Sequence, residues 1–153
     1  MRELRTEIEI DASVERVWAA LTDFASFPYW NPFIRRIDGA PVVGSRLDVW
    51  IGASGTRGMR FRPTVRAVAP NRELRWLGSL GIRGLFDGEH IFELTPLAPD
   101  RARFVQRERF RGVLVPLFAR SLERDARRGF EEMNRALRAR VTGRPDPDGP
   151  GKG

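Results

Sequence analysis

A chain of 153 residues has room for one hydrophobic core and too little for two full domains. Its 41% hydrophobic and 31% charged content belongs to folded proteins, and the formal charge of +7 is spread over arginines interleaved with acids, as in Glu123-Arg124-Asp125-Ala126-Arg127-Arg128. That spacing argues against nucleic acid as a partner, while zero cysteines and one histidine exclude disulfide frameworks, thiol nucleophiles, zinc-thiolate sites and multi-histidine metal clusters.

The N-terminus, MRELRTEIEI, alternates charged and apolar residues where a secretory leader would show an apolar block. No run approaches the roughly 18 to 20 apolar residues needed to span a bilayer, so the expectation is a cytoplasmic protein without membrane insertion. Leu4, Thr6, Ile8 and Ile10 fall on one face of a first strand. Asp11 or Ser13 can then cap a helix carrying Val14, Val17, Trp18 and Leu21 at helical spacing, followed by a second short turn, FASFPYW. Pro28 and Pro32 confine that corner by removing amide donors and restricting the residues before them.

From Phe33 the chain reads as six strands, Phe33–Asp38, Arg46–Ile51, Met59–Val68, Glu73–Leu77, Leu85–Leu94 and Arg103–Phe110, separated by Gly-, Pro-, Asn- and Asp-rich turns. Short connections make antiparallel neighbours. After Gly112 the period becomes helical, with Leu114, Leu117, Phe118, Phe130, Met133, Leu137 and Val141 on one broad stripe. Pro116 is tolerable only in a first turn, which predicts a helix start at Val113 to Val115. Residues 143–153, GRPDPDGPGKG, offer almost nothing to bury and are expected to form a disordered tail beyond a domain spanning 1–142.

A long amphipathic helix must cover an apolar face, and the sheet supplies one. The expected fold is α+β: a curved, seven-stranded antiparallel sheet wrapped around the C-terminal helix, with two short helices after the first strand. Curvature holds the centre of such a sheet off the helix, which leaves room for an apolar ligand.

The stretches IDASVERVWAALTDFASFPYWNPFI, LFDGEHIFELTP, FVQRERFRGVLVP and GFEEMNRALRARV, in this order, resemble the START-like helix-grip superfamily, also called SRPBCC, in its polyketide cyclase/dehydrase-like branch. The resemblance covers roughly residues 2 to 141. It implies a pocket between sheet and C-terminal helix for a lipid, polyketide, quinone or other hydrophobic small molecule. The superfamily includes cyclases, lipid carriers, receptors and chaperone activators, so the fold leaves the reaction open.

Strand alternation identifies the inward-facing residues independently. Phe86, Gly88, His90, Phe92 and Leu94 share one face of their strand, and Phe104, Gln106, Glu108 and Phe110 share one face of the next. A hairpin turn within Pro96 to Asp100, centred near residue 98, would set His90 opposite Gln106 with Glu108 on the diagonal. Three roles stay open for this trio: a self-satisfied buried network, polar anchors for a ligand, or an acid/base pair of His90 and Glu108. Trp30, Asn31 and Phe33 would stand at the mouth of the cavity. Phe61, Trp76, Phe86, Phe92, Phe110, Phe118, Phe130 and Met133 complete the candidate ligand contacts, with core packing as the alternative for each aromatic. GASGTRG, Gly52 to Gly58, lacks the Lys-Ser/Thr ending of a phosphate loop and reads as a flexible hairpin at the rim. No acid pair has metal-site spacing, and no cofactor is implied. The leading expectation is a hydrophobic-ligand-binding protein, monomer or homodimer; the alternatives are a cyclase, aromatase or dehydratase-type enzyme and a regulatory interaction module with an incidental pocket.

Overall fold

The architecture, a computed structural model, is described for residues 2–79 and 82–147. Alternation builds β1, Arg2–Ile10, with Leu4, Thr6 and Ile10 buried. The Ser13 hydroxyl accepts the Arg16 amide at 3.2 Å and so caps α1, Val14–Thr22, which buries Val17 and Leu21. A 3-10 turn, Phe24–Ser26, and the one-turn α2, Phe27–Trp30, fill the corner that the prolines confine. Then come β2 Ile34–Asp38, β3 Asp48–Ile51, β4 Met59–Phe61, β5 Thr64–Ala69, β6 Glu73–Ser79, β7 Asp87–Ala98, β8 Arg101–Arg111 and α3, Val115–Thr142.

The α+β layering, the antiparallel pairing and the long C-terminal helix are present, but the strands form two sheets instead of one of seven. Five strands run in the order β1-β8-β7-β6-β5 and three in the order β2-β3-β4. Pro63 explains the division. It has no amide to donate, and it interrupts the expected Met59–Val68 strand, so β4 and β5 join different sheets. The sheets stay connected where the chain before β3 runs beside β5, through an isolated bridge between Arg46 and Thr64 and a bond from the Leu47 amide to the Pro63 carbonyl at 2.8 Å.

In the hairpin, β7 runs four residues past its expected end at Leu94 and β8 starts two residues before Arg103. Pro96 lies past Glu93, the last β7 residue paired with β6, so its missing amide breaks no ladder, and the strand runs on to Ala98. The turn is centred on Pro99-Asp100, which sets His90 opposite Glu108 and Phe92 opposite Gln106. The expected His90–Gln106 pairing was therefore displaced by two residues. An even displacement leaves every side chain on its expected face.

The inner face of the larger sheet packs on α3 through Leu4, Phe92 and Phe104 against Phe130, Met133 and Leu137. The outer face carries cross-strand charge pairs, with Arg107 bridging Glu3 and Glu93 and Arg109 bonding Glu3 at 3.1 Å. This interleaving consumes much of the positive charge. α3 begins at Val115 with Pro116 in its first turn, and Gly143, at φ 68°, closes it by donating to Ala139. Among residues expected in the tail, Asp146 accepts from Arg135 and Arg138; residues 148–153 lie outside the described part. No helix among the described residues is long and apolar enough to cross a membrane.

Candidate functional site

A cavity of about 360 Å3 lies between the two sheets and α3. Its walls follow from strand alternation: Val49 and Ile51 come from β3, Phe61 from β4, Trp76 from β6, and Phe110 from β8. Phe33, Ile34, Phe86, Ala126 and Phe130 close the remaining apolar surface. Its size falls within the range of small-molecule sites. Among the described residues, charged groups reach it at two places: Arg57 and Asp125 at the exposed rim, and Glu108 with His90 on the sheet.

His90 is 5% exposed and belongs to a continuous polar chain. Its Nδ1 lies 2.7 Å from Glu108 Oε2, and its Nε2 lies 3.0 Å from Gln106 Oε1. Gln106 Nε2 donates to the Phe130 carbonyl at 3.3 Å and to Asn134 Oδ1 at 2.7 Å, and Asn134 Nδ2 donates to Thr6 Oγ1 at 3.1 Å. A backbone carbonyl can only accept, so the Gln106 amide is oriented with its oxygen toward the histidine. His90 Nε2 must then carry a proton. Only one further proton lies between Nδ1 and Glu108 Oε2, either as an imidazolium facing a carboxylate or as an imidazole facing a carboxylic acid. Trp76 and Phe92 pack around the imidazole, with ring centroids 5.4 and 4.3 Å away, and fix its plane.

The other Glu108 oxygen, Oε1, is turned into the cavity over Gly88. A Cβ at position 88 would lie 2.4 Å from it, so a side chain there would push the carboxylate aside. A second glycine shapes the opposite wall. At position 129 a Cβ would meet the Phe33 ring at 2.3 Å, and Phe33 stacks edge-on against Phe130 at 5.4 Å because that space is empty.

The Gly52–Gly58 loop forms part of the cavity wall, and it is tethered rather than free. The bulge at Arg35 in β2 sends its guanidinium to the carbonyls of Ala53 and Thr56, each at 2.8 Å, and to that of Arg57 at 3.2 Å. From the other side, Glu132 on α3 accepts from the Ser54 amide at 3.0 Å and hydroxyl at 2.7 Å. Glycine content alone suggested flexibility; the signal missed was Arg35, since alternation can send only one of the adjacent Arg35 and Arg36 outward, and Arg36 takes that place beside Asp38.

Of the residues expected at the site, Phe33, Phe61, Trp76, Phe86, His90, Glu108, Phe110 and Phe130 line the cavity. Gln106, Phe92 and Met133 lie behind that wall, fully buried at 1% exposure or less. Trp30 is away from it, packed on Phe27 with its indole N–H donating to Ser26 Oγ at 3.0 Å. Asn31 is also away from the mouth: its Oδ1 accepts the amides of Phe33 and Ile34 at 3.0 and 2.9 Å, the turn-capping role. Phe118 is 52% exposed and lies outside the cavity lining. Asn134 and Thr6 were missed. Thr6 lay on the inner face of β1, and Asn134 sits four residues after Phe130 on the apolar face of α3, which was the available signal.

Comparison with known proteins places the chain among similar folds. The family model described as polyketide cyclase / dehydrase and lipid transport matches residues 1–142. A START superfamily protein from Mycobacterium smegmatis is similar at 23% identity, with a TM-score of 0.73 over 92% of this chain and 97% of that one. The di-domain ARO/CYC protein BexL from the BE-7585A biosynthetic pathway is similar at 15% identity and TM-score 0.73, over 94% of this chain and 48% of that one. A norcoclaurine synthase point mutant from Thalictrum flavum, in complex with a transition-state analogue, is similar at 14% identity and TM-score 0.70, over 93% and 94% of the two chains. These likenesses establish the fold. No curated protein sequence matches the chain significantly.

Proposed function

This chain belongs to the polyketide cyclase / dehydrase and lipid transport family, and on that footing we propose that it binds one hydrophobic small molecule, a lipid, polyketide, quinone or aromatic, in the cavity between sheets and α3. The observation that carries this reading is the contrast inside the cavity: apolar walls on nearly every side and one oriented polar pair, His90 and Glu108. Burying the apolar body of a ligand supplies affinity at roughly 25 cal/mol per Å2, and the polar pair fixes which end faces the sheet. Gln106, Asn134 and Thr6 hold the pair by hydrogen bonds and leave no slack in the imidazole.

A second reading, proton-transfer catalysis of the cyclase or dehydratase type, is favoured by the single proton shared between His90 Nδ1 and Glu108 Oε2. A Glu108 carboxylate facing an imidazolium can take a proton from a bound molecule at Oε1, leaving a neutral carboxylic acid beside the charged ring. Native mass spectrometry of freshly purified protein tests the binding reading, with a retained hydrophobic molecule expected. Repeated recovery of empty protein, together with no thermal shift on adding naphthalene-, quinone- or lipid-like compounds, would contradict it. If the bound molecule is converted, His90→Ala should abolish conversion while leaving binding detectable.

A further inference from the structure

We infer that the cavity selects a neutral hydrophobic molecule bearing a hydroxyl group, a phenol, enol or alcohol, and that Glu108 Oε1 is the acceptor which reads it. This rests on the proposed binding function and adds the chemical class. The argument starts at the Phe130 carbonyl, which orients the Gln106 amide and so requires a proton on His90 Nε2. Whatever remains between His90 and Glu108 lies on the Nδ1–Oε2 axis, 2.7 Å long. If the proton is on nitrogen, Glu108 is a carboxylate and Oε1 accepts. If it is on Oε2, Oε1 is the carbonyl oxygen of a carboxylic acid and again accepts.

Both proton placements therefore present the ligand with an acceptor and no donor. His90 adds none, because both of its ring nitrogens are engaged, one by Glu108 and one by Gln106. A ketone, ether or ester oxygen placed at this point would face Oε1 lone pair to lone pair and lose its water without replacement. A ligand carboxylate would add like-charge repulsion, and the one guanidinium on the cavity wall, Arg57, stands at the exposed rim. A ligand O–H directed over Gly88 meets an oxygen held in place by the imidazole behind it. Gly88 is thus a specificity determinant through its missing side chain, since a Cβ there would lie 2.4 Å from Oε1 and shift it from this position.

The test compares 2-naphthol, 2-methoxynaphthalene and 2-naphthoate by isothermal titration against the full chain. Wild type is expected to prefer the naphthol over its methyl ether by at least about tenfold, the worth of one hydrogen bond to a charged acceptor, and to bind the naphthoate weakest. Glu108→Leu should bring naphthol and ether to within about threefold of each other. Gly88→Ala, which displaces Oε1 while keeping every polar partner, should do the same and serves if the first variant fails to fold. Equal affinity of naphthol and ether in wild type, or a preference unchanged in Gly88→Ala, overturns the inference and leaves the binding function standing. Failure of wild type to bind any of the three also overturns the inference, while the binding function falls only if native mass spectrometry and the quinone- and lipid-like compounds fail as well.

Discussion

Asn31 caps two backbone amides with one oxygen while its own Nδ2 is buried without a partner, so the side chain is stabilising on balance and improvable in part. Asn31→Ala strands the Phe33 and Ile34 amides and is expected to lower stability by about 1–3 kcal/mol, read as a shift in the urea midpoint at constant slope. Asp87 offers a pH-dependent counterpart. The Ser79 hydroxyl at 2.6 Å and the Gly84 amide hold its carboxyl below the usual carboxylate range. Because the folded-state value is the lower one, the stabilisation is present above the unfolded carboxylate's range and is lost as pH falls through the folded value. Asp87→Asn should therefore melt below wild type at pH 7, and the gap should close on acidification to pH near 2. A gap that stays constant with pH would contradict this role. At this scale the inward faces of His90, Gln106 and Glu108 were legible because alternation depends only on parity. Their pairing was not, since it depended on whether Pro96 ends a strand, and that turned on where β6 stops.

Gly129 lets α3 pack closely against Phe33, the residue before β2. Replacing glycine by alanine inside a helix normally stabilises by up to about 1 kcal/mol, but here the new methyl would overlap the Phe33 ring. Overpacking of this kind costs about 1–3 kcal/mol, so Gly129→Ala is expected to be net destabilising or neutral and never to gain the full helix benefit. Thermal melts beside an alanine substitution at an exposed α3 site such as Arg124 would check it. The alternative for Phe33 is to rotate into the cavity, which would show as weakened ligand binding. Elements were legible wherever a period persisted: β1, β6, β8 and α3 lie close to their expected positions. The split between β4 and β5 was harder to read, because Pro63 occurs within an otherwise extended run and proline is compatible with a strand edge as well as with a break. The exposure of Phe118 was hidden for another reason, since a helical stripe does not reveal which of its residues are covered.

Across the whole molecule, the two sheets diverge at Pro63, α3 spans the gap, and the tethered Gly52–Gly58 loop forms part of the third wall. The cavity follows from this divergence more than from any single residue, which is why its existence was legible from the order of elements and its lining only in part. Ala126 on α3 lines it, half-buried and four residues before Phe130. The most direct measurement is isothermal titration of 2-naphthol into wild type and into Ala126→Phe, with circular dichroism confirming that both are folded. Binding to wild type and a loss of at least about tenfold in the filled variant is the expected result. A folded Ala126→Phe protein that binds with wild-type affinity would place the ligand elsewhere and contradict the cavity as the functional site.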